Sequence, residues 1–199
     1  MKITFLGGGN MANALIGGML KQGFAAADIT VIDPGSAARD KLERTYAVNC
    51  LETGEMLDNV GDLLVLAVKP QQMKEAVAPL VGKLGNAVVV SIAAGLDLAT
   101  LARFLGGHRK IVRCMPNTPA LIGAGITGLC PLPEVSAAER EAADCVLSAV
   151  GSTVWIDNEG RMDGVTALSG SGPAYVFLFI EALQQAAADL GFTPEQGRQ

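Results

Sequence analysis

The feature that most limits what this chain can fold into is the character of its β-rich runs. Residues 2–6 (KITFL), 29–32 (ITVI), 62–68 (DLLVLAV), 87–93 (AVVVSIA) and 110–114 (KIVRC) are almost continuously apolar. A strand with one wet face alternates apolar and polar side chains. A run without that alternation belongs to a sheet covered on both faces, as parallel sheets are. Helical patterns separate the runs. Met11, Leu15 and Met19 recur every four residues, with Ala12, Ile16 and Leu20 beside them. Asp97 reads as an N-cap for a face of Leu98, Leu101, Ala102 and Leu105, and Ser136 with Glu139 as a capping box opening a helix to about residue 149. Pro79 interrupts a face of Met73, Val77, Leu80 and Leu84 and predicts a kink there. Alternation of this kind from residue 2 to about 156 predicts an α/β fold with a doubly wound, mostly parallel sheet.

Half of the 199 residues are hydrophobic and 18% are charged, as expected of a globular chain with a large core. The formal net charge of −5 and the lack of any basic cluster argue against a nucleic-acid partner. Cys50, Cys114, Cys130 and Cys145 form no CxxC pair and have no histidine nearby, so buried free thiols in a reducing compartment are expected and no metal site is. Residues 114–133 carry no charge, but Pro116, Pro119, Pro131, Pro133 and Asn117 argue against a membrane helix. The N-terminal apolar stretch is too short for a signal peptide. A soluble, cytoplasmic protein is the expectation.

The pattern changes after Met162, where no strand signal remains. Residues 174–190 read as a helix whose Val176, Phe177, Leu178, Phe179, Ile180 and Leu183 do not keep to one stripe, so it needs cover on every side. A partner subunit or further chain has to supply it. Gly191 then suits a helix end, and Thr193, Pro194 and Gln196 announce a new helix just before Gln199. These signals predict a division into residues 1–160 and 161–199, the second being the beginning of a helical domain and the chain a truncated one.

The loop FLGGGNMA follows the first strand and opens the first helix. Gly7, Gly9 and Ala12 fit G-x-G-x-x-[GA], the fingerprint of a Rossmann-type dinucleotide site. Gly7 permits the tight turn, Gly9 lets backbone approach a pyrophosphate, and Ala12 allows close helix–strand packing. The unpaired N–H groups of the helix start favour the phosphates. Asp33 ends the second strand, where an acid binds ribose hydroxyls and favours NAD, yet Ser36 and Arg39 beside it suit a 2′-phosphate. The coenzyme choice stays open on these residues. AVKPQ (67–71), SIAAG (91–95) and RCMPNTP (113–119) lie at the carboxyl ends of strands and together with the glycine loop predict a ligand groove.

The titratable inventory is thin. His108 lies in a polar GGHRK turn and is expected to be exposed, no G-x-S-x-G occurs, and no lysine follows Lys110. Hydride transfer remains, because the cofactor performs it while the protein binds and orients. Reduction of a carbonyl ordinarily needs a protein acid, whereas an iminium already carries its proton. A C=N substrate therefore suits this chain better than C=O, and no single catalytic residue is singled out.

Taken in order, FLGGGNMA, AVKPQ, SIAAG, RCMPNTPA and SGSGPAYVF resemble the Δ1-pyrroline-5-carboxylate reductases over residues 2–199. The resemblance implies an N-terminal Rossmann-type domain, an all-helical dimerisation domain that makes a homodimer or higher homo-oligomer, and NAD(P)H-dependent synthesis of proline from a small cyclic imine. NADPH is the usual coenzyme, with NAD possible, and Asp33 sits oddly with that preference. It places cofactor contacts on Gly7, Gly8, Gly9, Asn10, Met11 and Ala12, on Ala67, Val68, Lys69 and Pro70, and on Ala93, Ala94 and Gly95, with Asn117 close to the nicotinamide. Ser169, Gly170, Ser171 and Gly172 become the lip between domains, their N–H groups at a helix start facing the substrate carboxylate, or else a hinge. Glu181 reads as a polar interface contact. A threonine contacting the ring nitrogen would lie beyond Gln199, so turnover is expected to need the missing helices. Two alternatives remain: a β-hydroxyacid dehydrogenase, against which the lack of lysine in residues 172–199 counts, and a dinucleotide-binding fragment without turnover.

Overall fold

The computed structural model describes residues 1–199. Eight strands form one sheet: β1 (Ile3–Leu6), β2 (Ile29–Ile32), β3 (Asn49–Leu51), β4 (Leu63–Leu66), β5 (Val88–Ser91), β6 (Ile111–Met115), β7 (Gly125–Pro131) and β8 (Gly151–Trp155). Their order is β3-β2-β1-β4-β5-β6-β7-β8. Every neighbouring pair is parallel except β6–β7, in which Val112 lies opposite Pro131 and Met115 opposite Gly128. The first six strands follow the doubly wound order of nucleotide-binding sheets, with the direction of winding reversing between β1 and β4.

The two-sided burial expected of the apolar runs is present: β1, β4 and β5 are buried at every position. One core lies between the sheet and helices α1 (Asn10–Lys21), α2 (Ser36–Tyr46) and α5 (Ala137–Leu147), holding Phe5, Leu15, Ile16, Val31, Leu42 and Val146. The other lies beneath α3 (Met73–Val77) and α4 (Leu98–Phe104) and holds Leu64, Leu66, Met73, Leu101 and Met162. The local signals act as the residues predict. Asp97 accepts from the Thr100 N–H, and Ser136 and Glu139 bond reciprocally as a capping box. At Pro79 the helix tightens into a 3-10 turn, Ala78–Leu80, instead of continuing.

Three strands lie outside the predicted set: β3, β7 and β8. The short connection from β6 to β7 cannot hold a crossover helix, so the chain folds straight back and pairs antiparallel. His108 is half-buried rather than exposed, its Nε2 2.9 Å from the Ala87 carbonyl oxygen, because the turn packs back against the start of β5. Only two of the four thiols are buried: Cys114 and Cys130 are, Cys50 is half-buried and Cys145 exposed, and all are free. Burial pushes the Cys114 thiol well above its ordinary pKa.

After β8 the chain becomes helical. Helix α6 (Met162–Val165) runs into a π-helical turn at Thr166–Gly170, and α7 (Gly172–Asp189) follows. Ser169 and Gly170 thus sit inside a helical run rather than in a free hinge, and the Ser171 N–H donates to the Thr166 carbonyl at 2.8 Å. The cause lies in Pro173, which has no N–H to give and breaks the regular α ladder. No residue of α7 is buried.

Candidate active site

Strand ends assemble the site. Gly7 leaves β1 at φ +103°, its N–H donating to the Ile32 carbonyl at 2.8 Å. A Cβ at Gly7 would lie 2.7 Å from the Ala67 carbonyl oxygen, so the turn is pressed directly onto the loop after β4. Gly9 is the N-cap of α1 and has no side-chain cap, and no acid occupies the first turn. Nothing lies within 4 Å of the place a Gly9 Cβ would take. The first N–H groups of α1, around Asn10 and Met11, are therefore open to an anion. Ala12 is fully buried beneath the loop.

The end of β2 is tied to that loop. The Gly8 N–H donates to Asp33 Oδ2 at 2.8 Å and the Gly35 N–H to Asp33 Oδ1 at 2.8 Å, while Arg39 Nη1 donates to the Asp33 carbonyl at 2.7 Å. Asp33 thus braces two turns, and the Arg39 guanidinium lies beside it with Ser36 starting α2. Asn13 clamps the glycine loop from below, its Nδ2 donating to the carbonyls of Gly8 at 2.8 Å and Gly9 at 3.1 Å.

A cleft of about 590 Å³ opens over these turns and brings together Gly7, Gly9, Asp33, Ala67, Val68 and Lys69. Pro70, next along the chain, begins the short turn Pro70–Gln72. Sequence reasoning missed the far wall, made of Glu52, Thr53 and Gly54 after β3 and of Gln72, Glu75 and Ala76. The half-polar run NCL carries too weak a strand signal to place the loop that follows it. Asn13 was also legible only as a helical residue.

The remaining candidates lie further along the same sheet edge, outside the cleft. Ala93 is buried at the end of β5, with Ala94 and Gly95 exposed beyond it. Asn117 follows β6; its Oδ1 accepts from the Ile126 N–H at 3.0 Å and its Nδ2 donates to Ser169 Oγ at 3.3 Å. Gly170 comes so near β6 that a Cβ there would meet the Met115 methyl at 2.5 Å. The structure therefore joins Asn117 to Ser169 and lays the 169–172 segment over the end of β6. It gathers no group of acids, histidines or cysteines able to hold a metal.

The chain is similar to known proteins along nearly its whole length. Residues 2–95 match the family described as NADP oxidoreductase, coenzyme F420-dependent, and residues 159–199 match pyrroline-5-carboxylate reductase dimerisation. The pyrroline-5-carboxylate reductase of Pseudomonas aeruginosa is 46% identical over 197 residues, covering 98% of this chain and 71% of the relative. The solved pyrroline-5-carboxylate reductase of Coxiella burnetii superposes with a TM-score of 0.91 at 37% identity, over 99% of this chain and 74% of that one. A Plasmodium falciparum pyrroline carboxylate reductase solved with NADP bound gives 0.86 at 30% identity, over 100% of this chain and 73% of its own. With two-thirds or more of such relatives spanned at these identities, the chain belongs to the pyrroline-5-carboxylate reductase family.

Proposed function

We infer that this chain reduces Δ1-pyrroline-5-carboxylate to proline with NADPH, the last step of proline synthesis. Its relatives supply the reaction. The structural observation that carries the reading is the Asn117–Ser169 bond, which sets the loop after β6 against the 169–172 segment on the same sheet edge as the glycine cleft.

The residues present fit the coenzyme. The uncapped start of α1 and the open space at Gly9 form a cradle for a pyrophosphate. Asp33 is engaged by two backbone N–H groups. Arg39, which donates to the Asp33 carbonyl and lies 3.9 Å from Glu52, stands with Ser36 at the start of α2 beside the cleft, where a 2′-phosphate would suit a guanidinium. This favours NADPH while leaving NADH usable. Gly7 to Ala12, Ala67 to Pro70 and Ala93 to Gly95 line the path of the coenzyme, and Asn117 stands at its reactive end. When bound, the coenzyme supplies the hydride that adds to the imine carbon.

The chain's own residues hold and orient. Ser169 and Ser171 would offer their hydroxyls to the substrate carboxylate, with Gly170 and Gly172 keeping the segment close and the Ser171 N–H already given to Thr166, and Asn117 fixes the near wall. The ring nitrogen arrives protonated, so the π pair of the C=N bond collapses onto it without any side chain delivering a proton. The lack of a catalytic lysine or histidine near Asn117 is then no defect. We place the division between nucleotide and helical domains near residue 160, a cytoplasmic location, and partners limited to small molecules and further copies of the chain. The helical run Glu159–Asp189 is long and apolar enough to cross a membrane. The dimerisation match over the same residues supports a second copy as its cover.

The test is steady-state reduction of pyrroline-5-carboxylate by the enzyme, following NADPH absorbance and proline together. Arg39→Ala should raise the NADPH KM roughly 10- to 100-fold, the worth of a charge-assisted bond, and leave the NADH KM nearly unmoved. Oxidation of a β-hydroxy acid without proline formation would overturn the reading.

A further inference from the structure

Behind the Asn117–Ser169 contact lies a cluster that neither the cleft nor the hydride step uses. Arg113, on β6, is only 7% exposed. Its Nη1 donates to Glu159 Oε1 at 3.2 Å and its Nη2 to Asp163 Oδ1 at 3.0 Å. Glu159 Oε1 also accepts from the Leu98 N–H at 2.7 Å, the first residue of α4. One carboxylate oxygen therefore joins three segments that each lead into the site. Leu98 lies three residues beyond Gly95, Arg113 four before Asn117, and Glu159 begins the run that carries Ser169.

A buried guanidinium is fixed in place by its geometry, since its planar fork satisfies two carboxylates at once and its charge cannot be removed. The partners differ in what they can do. Asp163 is largely exposed and its pairing is screened by water, whereas Glu159 is two-thirds covered. Removing Glu159 would leave the Leu98 N–H without its acceptor and Arg113 with only the wet partner. The helical run would then be held by Met162, which is buried, by Val165 against Gly128, by the close approach of Gly170 to Met115 and by the Asn117–Ser169 bond.

We propose that Glu159 and Arg113 are positioning residues for the reaction: their clasp fixes the height of the 162–170 run over β6, and so the placement of Ser169 against Asn117. The proposal rests on the reading that residues 169–172 face the substrate. Neither residue lines the coenzyme cleft, and without Glu159 helix α4 keeps the Asp97 cap and its buried Leu98 and Leu101, so the 93–95 loop stays in place and the clasp acts on imine reduction rather than on coenzyme binding.

In the assembled enzyme, Glu159→Ala should lower kcat/KM for pyrroline-5-carboxylate about 10- to 100-fold, the scale of a roughly 1 Å misplacement, with NADPH affinity essentially unchanged. Exchange of the Ser171 amide should quicken about tenfold while amides of β1 keep their protection. Glu159→Gln keeps an acceptor for both donors and should restore kcat/KM and Ser171 protection most of the way. Asp163→Ala should stay close to the parent. If Glu159→Ala does not fold, Arg113→Lys carries the same readouts, since a lysine cannot bond both carboxylates as the fork does. Ser169→Ala separates the two levels. A raised imine KM in Ser169→Ala with unchanged kcat/KM and unchanged Ser171 exchange in Glu159→Ala overturns the clasp alone. A silent Ser169→Ala beside a slow, loosened Glu159→Ala keeps Glu159 as a positioning residue for the run and overturns Ser169 as the group it places against the substrate. Equal loss of NADPH affinity and turnover in Glu159→Ala, unrelieved in Glu159→Gln, overturns the clasp as well.

Discussion

Gly7 and Asp33 show how little side-chain chemistry the coenzyme end of this site contains. Gly7 combines a backbone angle that other residues avoid with contact against the Ala67 carbonyl, so a methyl group there is opposed twice. Gly7→Ala should therefore push the loop off the end of β4. We expect NADPH affinity to fall by about tenfold or more, from a strain of about 1–2 kcal/mol, with a smaller loss in Tm; titration of NADPH fluorescence measures it. Unchanged binding would mean that the turn can relax without moving the phosphate cradle. Asp33 teaches a different lesson. From the sequence it is an acid at the end of a strand, fit for a ribose. In the fold its two oxygens receive Gly8 and Gly35, and it becomes a brace between turns. Spacing can locate such an acid but cannot show which backbone donors reach it first.

At the scale of elements, caps and burial explain both what the sequence revealed and what it concealed. The Ser136–Glu139 box and the Asp97 cap are local patterns, formed within four residues, and they stand in the structure as the residues predict. Hydrogen bonds from Thr100, through its side chain and backbone, hold the Asp97 carboxyl below its usual range. A depressed carboxyl contributes stability that is complete above its unfolded pKa of about 3.9 and is lost as pH falls through the folded value. Asp97→Ala should thus cost about 1 kcal/mol near neutral pH, the usual worth of an N-cap. The gap between variant and parent in urea melts should narrow as the solution is acidified from the unfolded carboxyl value of about 3.9 through the lower folded one. A gap that is constant with pH would assign the effect to something other than the cap. The strands β1, β2, β4, β5 and β6 were legible because burial on two faces writes a run of apolar residues. Strand β7 was not. Its GITGLCP contains two glycines and a proline, all poor strand formers, and only the pairing with β6 makes it a strand. The Arg113–Glu159 clasp joins residues 46 apart, so no local pattern announces it.

The whole molecule poses one question that its own atoms leave open: what stands against α7. Phe177 is 62% and Phe179 65% exposed, and Tyr175, Val176, Leu178, Ile180 and Leu183 are exposed with them, on every side of the helix. The polar residues of the helix, Glu181, Gln184, Gln185 and Asp189, are confined to its second half, while Tyr175–Ile180 is apolar all round, and an exposed apolar patch of this extent marks an interface. The dimerisation match over residues 159–199 makes a further copy of the chain the natural cover. Burial at about 25 cal/mol per Å² then supplies much of the driving force for assembly. Phe177→Glu with Phe179→Glu places charge on two sides of the helix, since residues two apart do not share a face. This double variant should sediment as a smaller species than the parent. NADPH binding should survive, because the glycine cleft is built from the sheet edge and the α3 segment and touches no residue of α7. Imine reduction should fall with the loss of assembly, because Ser169 and Ser171 open directly into the helix that the second copy covers. A double variant with the parent's mass and full activity would show that α7 meets its cover elsewhere, and that the substrate-facing segment depends on the sheet alone.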